Sequence, residues 1–401
     1  MKSVSDTGKI CVSPRESMRI LPKWLQPVLT ELTGMPLKGQ QPIFRWTWWM
    51  RLFLTWSLLI TSLVASMKLA KADPVFWPIL AVSWLFTTAS LRAFQTTFVH
   101  HASHGNLSGK PWLDTLLGEM MSILAWIMPL SEYRREHING HHPRTGLADG
   151  NGADDPDLVF IAQEMGFRLG QPRHYYWSHL LWLTISPMFH ARFFLARTRA
   201  NLRTGSFGRR LAAIVYAFTL VMLSNSLGGT DFVVAVFIPG IWIYQVSGLF
   251  QVMTEHTWVR DTNERLGARE VLVRLTNGRF MGCSTPERNL PLFRASLAWS
   301  VWTIKMVGIY LPFRSVLVGD LINHDLHHLK PLSDWPNAPY ARQEAAQKER
   351  DRNPNTGAYQ DVWGIRAIFN NTFDKLASIS EDSELGKPLT YQQRQEFILG
   401  M

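Results

Sequence analysis

The sequence predicts an all-α, polytopic membrane protein with four transmembrane helices in two hairpins below a cytosolic helical cap. Aromatic residues make up 12% and charged residues only 18% of the 401 residues, whereas about 25% of a typical soluble protein is charged. The mean hydropathy is nevertheless only −0.04. A few membrane spans carrying a larger polar body satisfy both observations, and clusters among the 13 histidines place a metal site in that body.

Four stretches are apolar and long enough to approach the roughly 20 residues that a membrane helix needs. They run over Trp48–Met67, Phe76–Leu91, Ala212–Leu227 and Phe232–Met253. Only short polar segments, 68–75 and 228–231, separate the first from the second and the third from the fourth. The spans are therefore expected to form two tight hairpins.

Three further stretches are apolar but carry charged residues, prolines or histidines within them. They are Leu116–Leu130, Tyr176–Ala196 and Ala295–Phe313. Glu119 interrupts the first and Lys305 the third. Each is predicted to be an amphipathic helix on the membrane surface or against the body.

The charge distribution predicts the orientation of the spans. The net charge is +10, and Lys and Arg concentrate in the N-terminal segment and between the hairpins, while the hairpin loops carry only Lys68 and Lys71. By the positive-inside rule, both termini and the metal site face the cytosol, at the inner membrane if the cell is bacterial. The arginines between 197 and 210 are expected at anionic lipid headgroups, with docking of an acyl carrier as the alternative. The basic excess thus needs no nucleic-acid partner.

The organisation along the chain is a membrane-embedded body flanked by polar segments. We expect an N-terminal cytosolic segment over 1–46, a membrane-embedded domain over 47–335 and a mostly helical cytosolic extension over 336–401. No cleaved signal peptide is expected. The two cysteines, Cys11 and Cys283, form no CxxC pattern, which excludes a thiolate zinc module, a Cys-ligated iron–sulfur cluster and a disulfide scaffold.

Ten histidines occur in four places, each at a predicted cytosolic span end or in the cytosolic body. The positions are His100, His101 and His104; His137, His141 and His142; His256; and His324, His327 and His328. Residues four apart share a face of an α-helix.

That spacing predicts that His100 joins His104 at one site and that His137 joins His141. The trio of the last cluster is also expected to share one face. Adjacent residues such as His141 and His142 diverge by about 100° on a helix, so they are expected to reach two neighbouring metals.

The ligand set restricts the chemistry. Imidazoles without thiolates suit iron, copper or zinc, and eight or more exceed what one ion needs. The HExxH motif of zinc proteases and the Glu-x-x-His pairs of soluble di-iron bundles are absent. Two irons beside a membrane indicate activation of O2 to attack an unactivated C–H bond.

As a set, these motifs over roughly residues 45–335 resemble the membrane fatty acid desaturase superfamily, whose histidine boxes hold a di-iron centre. His100-x-x-x-His104 resembles the first box, His137-x-x-x-His141-His142 the second and His324-x-x-His327-His328 the third. His256 resembles the additional histidine that many members supply after the fourth span. The resemblance implies nine iron ligands: His100, His104, His137, His141, His142, His256, His324, His327 and His328. It leaves the role of His101 open.

Two branches of that superfamily share features with this chain. The second box with its neighbours, Glu136 to His142, and the Glu255-His256 pair resemble the alkane hydroxylases. The first box lacks the His-Glu and trailing Lys of that branch. Thr145-Gly146 and the Asp-Asp-Pro-Asp run at 154–157 are more similar to acyl desaturases. Val252 stands where stearoyl-type enzymes have Asn.

The resemblance implies an O2-dependent fatty acyl desaturase with two irons and no catalytic side chain beyond the metal ligands. Because no haem-binding HPGG motif or rubredoxin-like cysteines occur, a separate donor of ferredoxin, rubredoxin or cytochrome b5 type is expected. The substrate is a membrane lipid or acyl group. Three alternatives remain open: an alkane, fatty acid or carotenoid hydroxylase or ketolase, a metal transporter or sensor, and an inactive scaffold.

Several residues around the clusters have weaker assignments. Glu136, Asp325 and Glu255 flank histidines and either orient an imidazole or lie in solvent. His174, His179 and His190 are expected at the surface or the membrane interface. The residues expected either to pack in the core or to line an acyl tunnel are Trp242, Met253, Trp302 and Met306.

Overall fold

A computed structural model describes residues 13–142, 160–258, 273–352 and 359–380 and shows a helical protein. In these ranges four helices are long and apolar enough to cross a membrane, and we name them the first to fourth membrane helices. They are Trp48–Leu69, Pro74–Ser103, Phe207–Leu227 and Gly229–Glu255. The predicted all-α class with four membrane helices is confirmed. The second helix continues past its predicted end and includes the first histidines.

The first and second membrane helices form a hairpin held by hydroxyl groups. Ser62 and Thr87 share a hydrogen bond of 2.9 Å, and Ser66 and Ser83 share one of 2.7 Å. All four side chains are buried. Small hydroxylated residues let membrane helices approach closely and satisfy each other's polar groups where no water is available.

The fourth membrane helix packs against this hairpin and contains a long π-helical stretch, Val233–Ile243, around Pro239. Proline removes a backbone donor and clashes with the preceding turn, so a wider turn accommodates it. Thr88 donates a hydrogen bond of 2.8 Å to the carbonyl of Pro239. The indole of Trp84 donates one of 2.8 Å to Val234.

The two hairpin turns lie at the same end of the molecule. Lys71 Nζ in the first turn and Asp231 Oδ2 in the second are 3.4 Å apart. The third helix ends at Gly228, whose φ of 88° is accessible to glycine at little cost. The histidine clusters follow the other ends of the second and fourth membrane helices, so they lie on the opposite side.

None of the three weaker stretches is long and apolar enough to span a membrane within the described residues. They form Pro111–Leu124, Arg173–Ile185, Pro187–Arg203 and Leu292–Lys305, the last continuing as Met306–Tyr310 and Leu311–Phe313. The single helix predicted over 176–196 is wrong. It breaks at Ser186 because Pro187 disfavours a helical conformation in the residue before it. Ser186 then caps the start of the following helix, Pro187–Arg203.

Two of the arginines predicted at lipid headgroups turn into the protein instead. Arg209 is buried, pairs with Glu119 at 3.1 Å and donates a hydrogen bond of 2.9 Å to the carbonyl of Ile127. Arg197 is also buried, whereas Arg199 is exposed. The sequence shows the charge of these residues but not which face of the helix they occupy.

The C-terminal part is helical, as predicted, and it packs into the body. Its helices are Ala338–Arg352 and Ile365–Ala377, and Phe369 and Phe373 lie in the main core. Between these helices, β2 (Asp361–Trp363) pairs in parallel with β1 (Gly278–Phe280). The domain division at residue 336 stays a prediction.

Shorter helical segments complete the described residues. They are Pro14–Ser17, Met18–Ile20, Lys23–Leu25, Gln26–Thr33, Leu130–Arg134, Arg135–His141, Phe160–Glu164, Leu321–Asn323, His324–Leu329 and Trp335–Asn337. Cys11 and the 145–157 segment compared with acyl desaturases lie outside the described residues.

Candidate metal centre

All nine histidines of the predicted ligand set come together in two adjoining groups. The five-histidine group consists of His100, His104, His137, His142 and His327. The four-histidine group consists of His141, His256, His324 and His328. Within each group the nitrogen atoms lie within 4.8 Å of one another. The groups touch, because the rings of His142 and His328 stack with centroids 4.5 Å apart.

The first box extends the second membrane helix beyond its apolar part. His100 and His104 both enter the five-histidine group, as the α-helical spacing predicts. Arg134 closes the end of this helix by donating hydrogen bonds of 2.8 Å to the carbonyl of Ser103 and 3.0 Å to that of Ala102. The last carbonyls of a helix have no partner within the helix, so this arginine fixes the end that carries the box.

The second box lies on a π-helical turn, Arg135–His141, and this corrects one prediction. The amide of His142 donates to the carbonyl of His137 over 3.0 Å, which is the five-residue step of a π-helix. The Nε2 atoms of these two residues are 2.9 Å apart. His137 therefore joins His142 rather than His141, which belongs to the other group. The predicted divergence of His141 and His142 is confirmed.

The third box is the short helix His324–Leu329, and it too serves both groups. His324 and His328 face each other with their Nε2 atoms 3.1 Å apart. His327 points to the five-histidine group, where its Nε2 lies 2.7 Å from that of His100. The predicted single face for this trio is wrong: His324 and His328, four residues apart, share a group, whereas His327 diverges from the adjacent His328 by about 100° on a helix and reaches the other group.

His256 completes the four-histidine group from an extended backbone just after the fourth membrane helix. Its Nε2 lies 3.0 Å from that of His141, and its Nδ1 lies 3.2 Å from the hydroxyl of Thr276. The hydroxyl of Thr372, on the C-terminal helix, donates a hydrogen bond of 3.0 Å to the carbonyl of His256. Both the backbone and the ring are thus held in place.

The protein environment keeps these imidazoles neutral. Burial, reinforced by neighbouring histidines, lowers the pKa of His104 to about 4 and that of His142 to about 2. The same causes hold the pKa of His137, His327 and His328 well below the usual value for histidine. Neutral imidazole is the form that binds metal ions.

The spacing of the nitrogen atoms also fits metal coordination. The short contacts between Nε2 atoms within the groups run from 2.7 Å to 3.3 Å, and all ligand atoms of a group lie within 4.8 Å of one another. Imidazole nitrogens bound at about 2.1 Å from one ion, as they are around zinc, lie about 3 Å from each other when their directions are perpendicular. Most of these nitrogen atoms face nitrogen atoms of other imidazoles. Hydrogen bonds between the rings therefore satisfy the donors and acceptors of the histidines poorly. The residues present therefore fit a metal in each group.

Of the three flanking carboxylates, Glu255 contacts a box histidine directly. Its Oε1 is 3.0 Å from Nε2 of His324, and its Oε2 accepts a hydrogen bond of 2.9 Å from Gln251. Asp325 instead binds the guanidinium of Arg342. Glu136 lines the cavity described below.

His101 lies beside the groups rather than within either. Its Nε2 is 3.0 Å from Oδ2 of Asp320, and its ring stacks on Trp335 with centroids 4.8 Å apart. His101, Asp320 and His327 form a third, smaller set of possible ligands. The sequence gives no signal for Asp320, because a single aspartate outside the boxes has no distinguishing pattern.

The three remaining histidines stay outside all of these groups. His174 is exposed. His179 contacts the carbonyl of Met165 at 2.8 Å, and His190 contacts Gln245 at 2.7 Å. The last two are half-buried in polar contacts rather than free at an interface.

A cavity of about 360 Å³ reaches the histidines from the membrane side of the cap. His100, His137 and His141 form part of its wall, and Phe189 and Leu249 are among its apolar residues. The four residues considered for an acyl tunnel pack elsewhere. They are Trp242, Met253, Trp302 and Met306, none of which lines this cavity.

These features define a membrane protein of apolar helices whose cap carries a histidine-lined metal site. Residues 75–359 match the fatty acid desaturase family, and the chain belongs to that family. It is also similar to a dihydrorhizobitoxine desaturase of Bradyrhizobium elkanii, with 23% identity over 297 residues that cover 70% of this chain and 72% of the relative. Membership indicates an oxidoreductase of the desaturase superfamily.

Proposed function

We propose that the protein is an O2-dependent fatty acyl desaturase with two histidine-bound irons. The observation that carries the proposal is the division of nine imidazoles, six of them buried and three half-buried, into two touching groups at the wall of one cavity. In the reaction, a CH2–CH2 unit loses two hydrogens, and O2 with two electrons and two protons becomes two waters. The bound irons supply the activation of O2.

The chain's own residues hold the metals and arrange the substrate. We assign one iron to the five-histidine group and the other to the four-histidine group, where Glu255 stands beside His324. The apolar wall excludes water and positions the carbon chain against His100 and His137. No side chain need act as acid or base on the carbon atoms, since the metals carry the chemistry.

We further propose that the histidine side of the membrane is cytosolic and that a separate protein of ferredoxin, rubredoxin or cytochrome b5 type delivers the electrons. The basic segments next to this side support the orientation. Both hairpin turns, joined by the Lys71–Asp231 contact, would then face outward.

Two measurements test the proposal, one on the purified protein and one on cells that express it. Elemental analysis should return about two irons per chain, because nine imidazoles exceed the need of one ion. Lipid profiling of cells expressing the intact protein should reveal products two hydrogens lighter than their precursors. His256→Ala should abolish these products and lower bound iron, whereas His174→Ala, at an exposed site, should change neither.

Other outcomes separate the alternatives. Products one oxygen heavier would identify a hydroxylase, which the Glu255-His256 pair and the spacing of the second box would then explain. One zinc per chain without iron would contradict the di-iron assignment.

A further inference from the structure

One arginine stands inside the second membrane helix. Arg92 is fully buried and lines the cavity that reaches the histidines. Its Nη1 donates a hydrogen bond of 2.7 Å to Gln95, while Nε and Nη2 are buried without a hydrogen-bond partner among the described residues. Charged residues in membrane helices are costly and mark functional positions, and two unsatisfied donors add to that cost.

A second guanidinium, from another helix, lies in the same part of the cavity. Arg197 is 8% exposed and lines the same cavity. Its Cζ lies 4.8 Å above the ring of Tyr244, and that of Arg92 lies 5.7 Å from the same ring. In the part of the chain that the structure describes, neither arginine forms an ion pair with a carboxylate. Glu136 and Glu255 line the same cavity, but neither guanidinium is neutralised by a contacting carboxylate, so the two cations offer a site for an anion.

The position of this site relative to the histidines is fixed by the helix. Arg92 and His100 are eight residues apart, and Gln95 and Thr96 line the cavity between them. The stretch Phe94–Val99 between them is π-helical, so the separation is somewhat less than the roughly 12 Å of eight α-helical residues. On the facing helix, Gly248 lies so near that an added Cβ would stand 3.6 Å from Nη1 of Arg92.

We propose that Arg92 and Arg197 bind an oxyanion of the substrate, a carboxylate or a phosphate, and thereby place the reacting carbons at the histidines. The inference rests on the proposed function and narrows its substrate class to amphiphiles with an acidic group. Guanidinium forks pair with both oxyanions in bidentate geometry. Neutral alkanes and carotenoids lack the group that this end of the cavity requires.

Calorimetry on the metal-loaded, full-length protein in an uncharged maltoside detergent, which carries no phosphate or carboxylate, tests the site without requiring turnover. The probes are hexanoate, hexyl phosphate and hexanol, which differ only in the head group. At least one anion should bind about tenfold tighter than hexanol, as expected for charge-assisted hydrogen bonds. The anion that binds more tightly indicates whether the substrate carries a carboxylate or a phosphate.

Variants of the two arginines locate the binding. Arg92→Gln and Arg197→Gln should each weaken anion binding about tenfold without changing the affinity for hexanol. Arg92→Lys keeps the charge but loses the forked guanidinium. Its affinity for the anion should lie between those of the wild type and Arg92→Gln. Arg199→Gln, on the same helix as Arg197 but exposed, is the matched control and should bind like the wild type.

Two results would overturn the proposal. One is equal affinity of the wild-type protein for anions and hexanol, which needs no variant and so does not depend on variant folding. The other is anion binding that survives both glutamine substitutions, which would place the anion on the metals. If anions bind as expected but no double bond forms in cells, the anion site stands and the desaturase proposal fails. If the glutamine variants bind anions as tightly as the wild type while desaturation in cells is normal, the desaturase proposal stands and the anion site fails.

Discussion

Arg342 donates hydrogen bonds to both oxygens of the Asp325 carboxylate, from Nη2 to Oδ2 at 2.6 Å and from Nε to Oδ1 at 2.8 Å. Both side chains are buried. Asp325 lies inside the third histidine box, between His324 and His327, whereas Arg342 belongs to the C-terminal helix Ala338–Arg352. The pair therefore ties the box to a part of the chain that the sequence alone presents as a polar extension.

Removing Arg342 should unfold the cap around the third box. Arg342→Met leaves the Asp325 carboxylate buried without its partner, at a cost of about 3–5 kcal/mol. We expect a lower midpoint of thermal unfolding and loss of bound iron. Arg342 also pairs with Asp361 at 2.9 Å, but that carboxylate is 38% exposed and stays solvated without the arginine. Adding Asp325→Leu should therefore restore most of the stability, because a well-packed apolar pair replaces the buried ion pair at little cost. Lys348→Ala breaks an exposed pair on the same helix and should leave the midpoint unchanged.

The π-helical turn of the second box makes a prediction about paired substitutions. His137→Ala with His142→Ala removes two ligands from the five-histidine group, so about one iron of two should remain. His141→Ala with His142→Ala removes one ligand from each group and should deplete both metals. Iron analysis of the two double variants distinguishes this arrangement from an α-helical one, in which His137 and His141 would share a metal.

The C-terminal helix should influence the four-histidine group through a single hydroxyl. Thr372→Val keeps the shape of the side chain and removes its hydrogen bond to the carbonyl of His256. We expect metal affinity at that group to fall about tenfold, as for other residues that orient a ligand, while membrane insertion stays normal. Ser378→Ala, at an exposed position near the end of the same helix, serves as the control. Equal metal affinity in the two variants would contradict a positioning role for Thr372.

Cysteine labelling should separate the two sides of the membrane. In a background without Cys11 and Cys283, Gly229→Cys in the second hairpin turn should react with an impermeant thiol reagent added outside. Lys348→Cys, exposed on the cap, should react only after the membrane is opened. Labelling of both positions in intact cells would contradict the proposed orientation.

The predictions that succeeded depend on composition and on coarse spacing. Spans of apolar residues and four histidine clusters are sufficient to predict the membrane helices and to bring the clusters to one side. Finer geometry was missed where the backbone departs from the α-helix. The π turn that pairs His137 with His142 has no signature in the residues themselves, because its hydrogen bonds depend on how the whole cap packs.

Long-range partners were missed for a related reason. Nothing near Asp325 in the sequence identifies Arg342 as its partner, since the two meet only when the C-terminal helix docks. Arg92 directly follows the predicted second span, Phe76–Leu91, so composition alone places it at the membrane boundary. Its burial became apparent only because the second membrane helix continues to Ser103.

The contact between Thr372 and His256 has a consequence for biosynthesis. Residues 365–377 leave the ribosome after all four membrane helices, and chains grow at only about 5–20 residues per second. During that interval the membrane helices and histidines of the nascent protein are already made, but the helix that carries Thr372 is not. The four-histidine group therefore reaches its full metal affinity only after nearly the whole chain has been synthesised, and a chain terminated before this helix would lack the contact between Thr372 and His256.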